Sequence, residues 1–565
     1  MKPKWHELIS QPQYKVKAEK DIYVPMRDSI RLAVNVYRPD AEGKFPALFS
    51  MSPYGKELQE LLLPPQPLEK STVWDGNIEA GDTNDIVSRG YVHVIVDIRG
   101  TGYSEGEYVG INSKREGEDG YDLVEWAAQQ PWCDGNVGMV GYSYMGETQL
   151  EVAIEQPPHL KAIFPTGVWG DMYRGMAYQG GVLCMFIYGL WDGRGGTSGL
   201  APNNVVSAMM RELPEEELER RRQEALNNPD IRNFPNLYHL VKYPKKNPVF
   251  FDLLMNPYDG PFYWERSVYD KYDKVKIPVY SVGTLGHFFS TRGQIGLYTN
   301  VNTPKKMMLH PRGFPTRPWR EDFFTIIRWH DHWLKGNDTG IMDEPPIKLY
   351  VTGVNQWRYA DEWPLPDMEP TKFYLRSWDG LSPEPEMYQD QPDCFVQQPL
   401  HVSAKRESVA YLSPLLSEDV EVIGPAALYL HATIDQDDTN WIIKLFDVDA
   451  YGTELELCTD YLKASHRALD MNKSKPLQPY HPHLTSEPVV PGEIYEYAIE
   501  ISPIAHVFRE GHRIKLKIGS MESPRDPEMV MHWHPHLCSS KTTVHKIYRD
   551  KEHQSHLLLP IIPAK

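Results

Sequence analysis

Positive charge is in deficit in this 565-residue sequence: 59 Lys and Arg stand against 77 Asp and Glu, a formal net charge of −18. Nucleic acid and anionic membrane both require a basic face, so neither is an expected partner. Long apolar runs are also missing. Nowhere do eighteen apolar residues follow one another, and the opening Met1-Lys2-Pro3-Lys4-Trp5-His6-Glu7-Leu8 lacks the apolar segment of a secretory leader. No membrane span is expected, and the expected location is cytoplasmic. Cysteine is scarce: Cys133, Cys184, Cys394, Cys458 and Cys538 are odd in number and widely scattered. They form neither a disulfide framework nor a zinc site.

What is present is the composition of a globular protein, 41% apolar and 12% aromatic, in a chain too long for one core. Its organising stretch is Met139-Val140-Gly141-Tyr142-Ser143-Tyr144-Met145-Gly146. A short apolar strand ends here, and Leu150, Ala153 and Ile154 then fall at the spacing of a helix face. Ser143 therefore sits on a sharp strand-to-helix turn, a nucleophile elbow, beside free backbone N–H groups able to hold an oxyanion. The usual pattern is G-x-S-x-G; here the second glycine comes one residue late. By itself this pattern also fits an ordinary glycine-flanked turn.

Around the elbow, residues 20–52 read as a β-meander with a hairpin turn at Met26-Arg27-Asp28-Ser29. Val92-His93-Val94-Ile95-Val96 reads as a buried strand, a helix is expected around Leu123, Trp126 and Ala127, and Ala162-Ile163-Phe164-Pro165 as another strand. Such alternation predicts a mainly parallel sheet covered on both faces. The pattern stops between 174 and 272, a Gly-, Pro- and Met-rich stretch with a charged helix from Glu215 to Leu226, and returns at Ile277-Pro278-Val279-Tyr280-Ser281-Val282-Gly283. The charged run Glu215 to Arg222 reads as a solvated helix face. Lys305 to His310 reads as the last core strand, followed by an aromatic-faced helix from Phe323 to Lys335. Beyond 347, short alternating runs between Pro, Gly and Asp turns predict an all-β sandwich of jelly-roll type. The expected domains are thus an α/β core over 1–173 and 273–346, a helical cap insertion over 174–272, and a jelly-roll domain over 347–565.

Asp97-Ile98-Arg99-Gly100-Thr101-Gly102-Tyr103-Ser104-Glu105-Gly106, Gln130-Pro131-Trp132 and the elbow together resemble the X-prolyl dipeptidyl peptidase and cocaine esterase family of serine hydrolases. Ser52-Pro53-Tyr54-Gly55, Asp171-Met172-Tyr173-Arg174, Asp331 to Gly336, Leu462 to Arg467 and Phe508 to Arg513 extend the likeness over nearly the whole chain. The resemblance implies an α/β-hydrolase core with an inserted helical cap and a jelly roll. It also implies Ser143 as nucleophile, with the oxyanion held by the Tyr54 hydroxyl and the Tyr144 backbone N–H, and no cofactor.

Two positions break that pattern. Where the resemblance implies an aspartate, Gly283-Thr284-Leu285-Gly286-His287 ends in histidine, and where it implies the base histidine, His310-Pro311-Arg312-Gly313-Phe314 ends in phenylalanine. Serine attack needs a base, normally a histidine oriented by a carboxylate. His310, at the end of the last core strand, is the leading base. His287 is second, as the base itself or as an orienter of His310. Asp171 could replace the missing acid; Glu321 and Asp322 are alternatives whose place before a helix is explained equally by helix electrostatics. Histidines 330, 332, 466 and 512 read as structural, and the alternating His534 and His536 are not expected to form a metal site without an acid or cysteine cluster.

The expected activity is cleavage of a small ester or amide through an acyl-Ser143 intermediate. X-Pro dipeptidyl peptidase action, a catalytically weakened ligand-binding protein, and carbohydrate binding by the sandwich are the alternatives. The sequence names neither acyl nor leaving group, and a homo-oligomer is compatible with its large domain surfaces.

Overall fold

Ten strands of a single mixed sheet carry the first half of the fold in the computed structural model, which describes residues 5–61, 78–191, 201–287, 289–311, 319–522 and 536–563. They begin with β1 (Val16–Pro25), β2 (Arg31–Pro39), β3 (Phe45–Ser52), β4 (Val92–Asp97), β5 (Cys133–Tyr142) and β6 (Leu160–Thr166). After the two-residue strands β7 (Tyr178–Gln179) and β8 (Val182–Leu183), which pair only with each other, come β9 (Val279–Thr284), β10 (Lys305–His310), β11 (Ile347–Val351) and β12 (Gln356–Ala360). The order across the sheet is β1-β2-β4-β3-β5-β6-β9-β10-β11-β12. From β4 to β11 all neighbours are parallel. The central strands read as unbroken apolar runs because both faces are covered.

One face is covered by α2 (Lys114–Ala128) and α3 (Tyr144–Glu155), with α1 (Thr83–Ser88) near the β2–β4 edge. Among the described residues, seven helices, α4 to α10, lie between Phe186 and Glu265. They are followed by α11 (Ser290–Asn300) and by α12 (Trp319–Lys335), which covers the opposite face. There Ile326, Ile327 and Trp329 join Val140, Tyr142, Phe164, Val282 and Met308 in one core, and Trp329 Nε1 donates to the Ile163 carbonyl at 3.1 Å. The tryptophan buries its ring fully because its one polar atom is paired.

Two expectations change. The β1–β2 hairpin forms as read, but β3 pairs with β4 and β5 instead of β2, because the apolar β4 inserts between them. Lys305–His310 is not the last strand of the sheet. β11 adds in parallel to β10 and β12 turns back on it, so the boundary expected at 347 falls after Ala360. The sandwich-like alternation of β11 is that of a strand near a sheet edge, which has the same period as a sandwich strand.

Among the described residues, eleven further strands, β13 to β23, lie between Glu369 and Ile562 and form an all-β domain with its own core around Trp441, Tyr497 and Phe508. It meets the insertion through close backbone contact. Lys463 N donates to Gly180 O at 2.8 Å, and a Cβ on Gly180, whose φ is +56°, would lie 1.9 Å from the Tyr461 carbonyl oxygen. Arg174 adds a charged stitch. Its Nη1 binds Asp171 at 3.0 Å and Asp259 at 2.7 Å, while Nη2 donates to the carbonyls of His481 and Pro482, each at 3.0 Å.

Gly180→Ala should therefore separate the sandwich from the insertion, at a cost of about 1–3 kcal/mol typical of forced overpacking. A thermal or urea unfolding curve checks this; an unchanged midpoint would show that the contact does not hold the domains.

Candidate active site

Ser143 follows β5 and caps α3 with φ 56° and ψ −117°, a conformation rare for a residue bearing a Cβ. Its amide donates to Thr166 O at 2.8 Å, and its carbonyl accepts the amides of Gly146 and Glu147, both at 2.9 Å. The glycines permit this turn by what they lack. A Cβ on Gly141 would lie 2.3 Å from Met145 Cβ, and one on Gly146 would lie 2.4 Å from Thr166 O. The late second glycine is thus explained: position 146 presses against β6, while Met145 packs with Tyr37, Ala80, Val87 and Ile95. The serine is half-buried, at the N-terminal end of α3, where the backbone amides favour negative charge.

Tyr54 stands on a turn after β3 and is 6% exposed, with its ring edge-on to Tyr144 at 5.8 Å between centroids. That turn is fixed by Asp97 at the end of β4. Its carboxylate accepts the amides of Lys56 at 2.7 Å and Tyr103 at 3.0 Å, and burial pushes its pKa up to about 6. Gly102 is glycine because a Cβ there would lie 2.1 Å from Asp97 Oδ2. The Asp97-to-Gly106 motif is therefore a clamp on the turn that carries Tyr54.

Tyr144 offers its backbone N–H at the helix start while its side chain points into the protein. The Tyr144 hydroxyl donates to Glu116 Oε2 at 2.8 Å, lies 3.2 Å from the Tyr108 hydroxyl and accepts the Asn112 amide at 3.3 Å. Glu147, one turn into α3, accepts the amides of Trp169 at 2.9 Å and Gly170 at 3.1 Å. It thereby holds Trp169 against Tyr144, with ring centroids 6.3 Å apart. Burial pushes Glu116 up to about 7 and Glu147 up to about 8, and raises Glu151 well above the usual carboxylate range.

His287 lies in the loop after β9. Its Nδ1 is 3.1 Å from Ser290 Oγ, and its backbone amide donates to Thr291 Oγ1 at 2.9 Å. The imidazole packs edge-on against Phe289 at 4.3 Å, Phe289 against Trp169 at 6.0 Å, and Trp169 against Tyr144, so a continuous row of rings links His287 to the elbow. His310 is placed differently. It ends β10, and its Nε2 is 2.8 Å from Asp322 Oδ2 on α12, with both side chains buried and Trp357 edge-on to the imidazole at 5.4 Å. Three strand spacings of about 4.8 Å separate β5 from β10, against two from β5 to β9. Among the described residues no hydrogen bond joins Ser143 Oγ to a histidine.

Asp171 caps the helical turn Met172–Ala177 through Arg174 N at 3.0 Å and is ion-paired to Arg174, so its carboxylate is spent in the joint between insertion and sandwich. Among the described residues Asp322, in the first turn of α12, is a carboxylate that meets a candidate histidine. Phe314 lies outside the described residues, as do His532 and His534, and the Glu321 side chain is likewise outside them. His536 bridges Glu522 and Gln179, at 2.8 Å to each. His330 bonds the Ile326 carbonyl, His332 that of Asn337, His466 meets His483, and His512 meets Asp447, all away from Ser143. The residues that sequence reasoning passed over are Asp97, Glu116 and Glu147. Asp97 lay within a quoted motif but without a role, and a glutamate four residues after the serine carries no pattern of its own.

Comparison with known proteins agrees with this architecture. Residues 28–313 match the X-Pro dipeptidyl-peptidase (S15 family), and residues 339–558 match the X-Pro dipeptidyl-peptidase C-terminal non-catalytic domain. The chain is similar to the cocaine esterase of Rhodococcus sp. (strain MB1 Bresler), with 27% identity covering 96% of this chain and 98% of that protein. Among solved structures it is similar to a CocE/NonD family hydrolase from Staphylococcus aureus, with TM-score 0.75, 24% identity and 97% and 93% of the two chains covered. An α-amino acid ester hydrolase also has the fold, with TM-score 0.74, 18% identity and 97% of each chain covered.

The buried glutamates around α3 set a pH dependence. An ordinary glutamate titrates near 4.5, and each of these three holds its proton more tightly in the folded chain. The stability they contribute is complete below that pH and is lost as pH rises through about 7 for Glu116 and about 8 for Glu147. The melting temperature should fall between pH 6 and pH 9, and Glu147→Gln should flatten the fall while keeping the acceptor for Trp169 and Gly170. Scanning fluorimetry across that range checks it; an equal slope in the variant would remove Glu147 from the account.

Proposed function

From the premise that this chain belongs to the X-Pro dipeptidyl-peptidase S15 family of serine hydrolases, we propose that it cleaves a small ester or amide through an acyl-Ser143 intermediate. The observation that carries the reading is the strained backbone of Ser143 at the head of α3, with Tyr54 clamped beside it. Strain of that kind persists only where surrounding structure enforces it, and here the close packing at Gly141 and Gly146 and the bond from the Ser143 amide to Thr166 O do so.

In the proposed reaction a histidine takes the proton of Ser143 Oγ as the oxygen attacks the substrate carbonyl. The negative oxygen is held by the Tyr144 N–H and the Tyr54 hydroxyl, a preorganised pair of donors in a water-poor site. Collapse expels the alcohol or amine, which receives the proton from the same histidine. Water then attacks the acyl-enzyme, again with that histidine as base, and the acid product leaves Ser143 restored.

His287 is the preferred base. It lies one strand nearer the elbow than His310, shares the aromatic row with Tyr144, and has Nδ1 beside the Ser290 hydroxyl. The second reading makes His310 the base with Asp322 as its acid, and is favoured by their buried 2.8 Å pair. Sequence similarity to a cocaine esterase supports ester hydrolysis, and similarity to the dipeptidyl peptidases supports X-Pro cleavage as the alternative. The substrate is a small molecule in either case, and no cofactor is needed.

Intact-mass analysis after fluorophosphonate treatment tests the proposal with wild type, Ser143→Ala, His287→Ala and His310→Ala. One adduct on wild type, absent from Ser143→Ala and formed about 10²–10⁴-fold more slowly in His287→Ala, is the expected result. Slowing confined to His310→Ala would move the base to the Asp322 pair. A folded wild type that takes no adduct would replace the hydrolase with a ligand-binding protein of the same family.

A further inference from the structure

Among the described residues β1 lies at one edge of the first sheet, and its register against β2 slips once. Glu19 faces Val36 and Ile22 faces Val34, so Lys20 and Asp21 together stand opposite Asn35. The slip is a β-bulge, and Asp21 within it has φ 56°. Glycine would suit that left-handed backbone best, so an aspartate there points to a task for its side chain. In a regular strand, neighbouring side chains point to opposite faces. In the bulge both reach the same segment. Asp21 Oδ1 takes the Lys56 ammonium at 2.7 Å, and the Lys20 ammonium binds Glu60 Oε2 at 2.6 Å. Asn35, fully buried, completes the grip: its Oδ1 accepts the Asp21 amide at 3.1 Å, and its Nδ2 donates to Glu60 Oε1 at 3.1 Å.

The segment so held, residues 55–60, directly follows Tyr54 and is tied at its far end to the elbow. Gln59 Oε1 accepts the amides of Glu79 at 2.7 Å and Ala80 at 3.1 Å, and Glu79 O accepts the amide of Tyr142, the residue before Ser143, at 3.1 Å. Lys56 is the centre of the segment and is 1% exposed. Besides Asp21, its ammonium binds Glu57 Oε1 and lies over the Tyr103 ring at 4.7 Å, while its backbone amide is one of the two that Asp97 accepts. One residue thus joins the edge strand to the Asp97 clamp, two positions from Tyr54. The Asp21 side chain is 58% exposed, and an ion pair with one partner in water contributes little to stability. Its geometry matters more, because an oxyanion donor acts only where it is held in place before the charge develops.

We propose that Asp21 is a positioning residue for the candidate reaction: through Lys56 it holds the turn that presents the Tyr54 hydroxyl to the oxyanion. The inference rests on the oxyanion role given to Tyr54 above.

The test is hydrolysis of p-nitrophenyl acetate by the full chain, with the rate of Ser143→Ala subtracted. Tyr54→Phe should lower kcat about 10²–10³-fold, the loss typical of one oxyanion donor. Asp21→Gly removes the carboxylate while easing the backbone, and should lower kcat about tenfold with KM changed less than about twofold. Asp21→Asn keeps an acceptor at the same place on a residue that tolerates the left-handed region, and should recover most of that loss. In a Tyr54→Phe background, Asp21→Gly should cost nothing further, since no hydroxyl remains to be positioned. Lys56→Met removes the ammonium but keeps an apolar stem in its place. It should give the same pattern from the other partner, and it keeps the test decisive if the glycine variant misfolds. Equal losses in both backgrounds, as a purely structural role would give, or an unchanged kcat in both Asp21→Gly and Lys56→Met beside a slow Tyr54→Phe, would overturn the positioning role and leave that of Tyr54 standing. A Tyr54→Phe variant as fast as wild type, or a wild type no faster than Ser143→Ala, would overturn both.

Discussion

Two missing methyl groups govern the geometry of this protein. Because Gly141 and Gly146 carry no Cβ, α3 can start directly above β5 and lie against β6, with the Thr166 carbonyl and the Met145 side chain in the space that two methyls would fill. Everything at the candidate site is referred to that approach. It forces Ser143 into its positive-φ conformation and points the first amides of α3 at a common spot. It also brings Glu147 within reach of the amides of Trp169 and Gly170, so that helix, serine and aromatic wall are fixed as one unit.

A second layer consists of acids placed where acids are costly. Asp97, Glu116, Glu147 and Glu151 are all buried, and burial raises the proton affinity of each. Asp97 and Glu147 act as acceptors for backbone amides that have no strand or helix partner. Glu116 ties the Tyr144 phenol to the start of α2. Such groups add little net stability, but they define one arrangement of loops around the elbow, and an arrangement is what an oxyanion site requires.

Much of this was legible in the sequence. The elbow, the alternation of strands and helices, the insertion and the all-β third domain follow from periodicity and turn residues, which are local properties. The order of β3 and β4 was not, because hydrophobic patterning states that a strand is buried and not beside which neighbour. The expected placement of β11 in the sandwich failed for a related reason: a strand near the edge of one sheet alternates like a strand of a sandwich. At the candidate site, the turn that carries Ser143 was legible in its glycine pattern, whereas Tyr54 and the Tyr144 amide were named only through the family resemblance. Asp322 was only one alternative among the acids, since its contact with His310 depends on how α12 docks, and the bonds from Arg174 to His481 and Pro482 depend on a distant domain. Glu147 was invisible for the opposite reason. Its partners are backbone amides, which every residue has and no motif records.

Arg174 connects this geometry to the way the chain is made. Its guanidinium is held by Asp171 and Asp259, but the two carbonyls that complete its coordination come from His481 and Pro482, the former 307 residues further along. During synthesis the serine, its elbow and the tyrosine clamp all leave the ribosome long before those carbonyls exist. Until the sandwich folds, Arg174 is a cation with half its acceptors, and the insertion that it anchors has no fixed wall behind it. A nascent chain holding every candidate catalytic residue is therefore still an unfinished site, and its completion is timed by translation of the last third of the message.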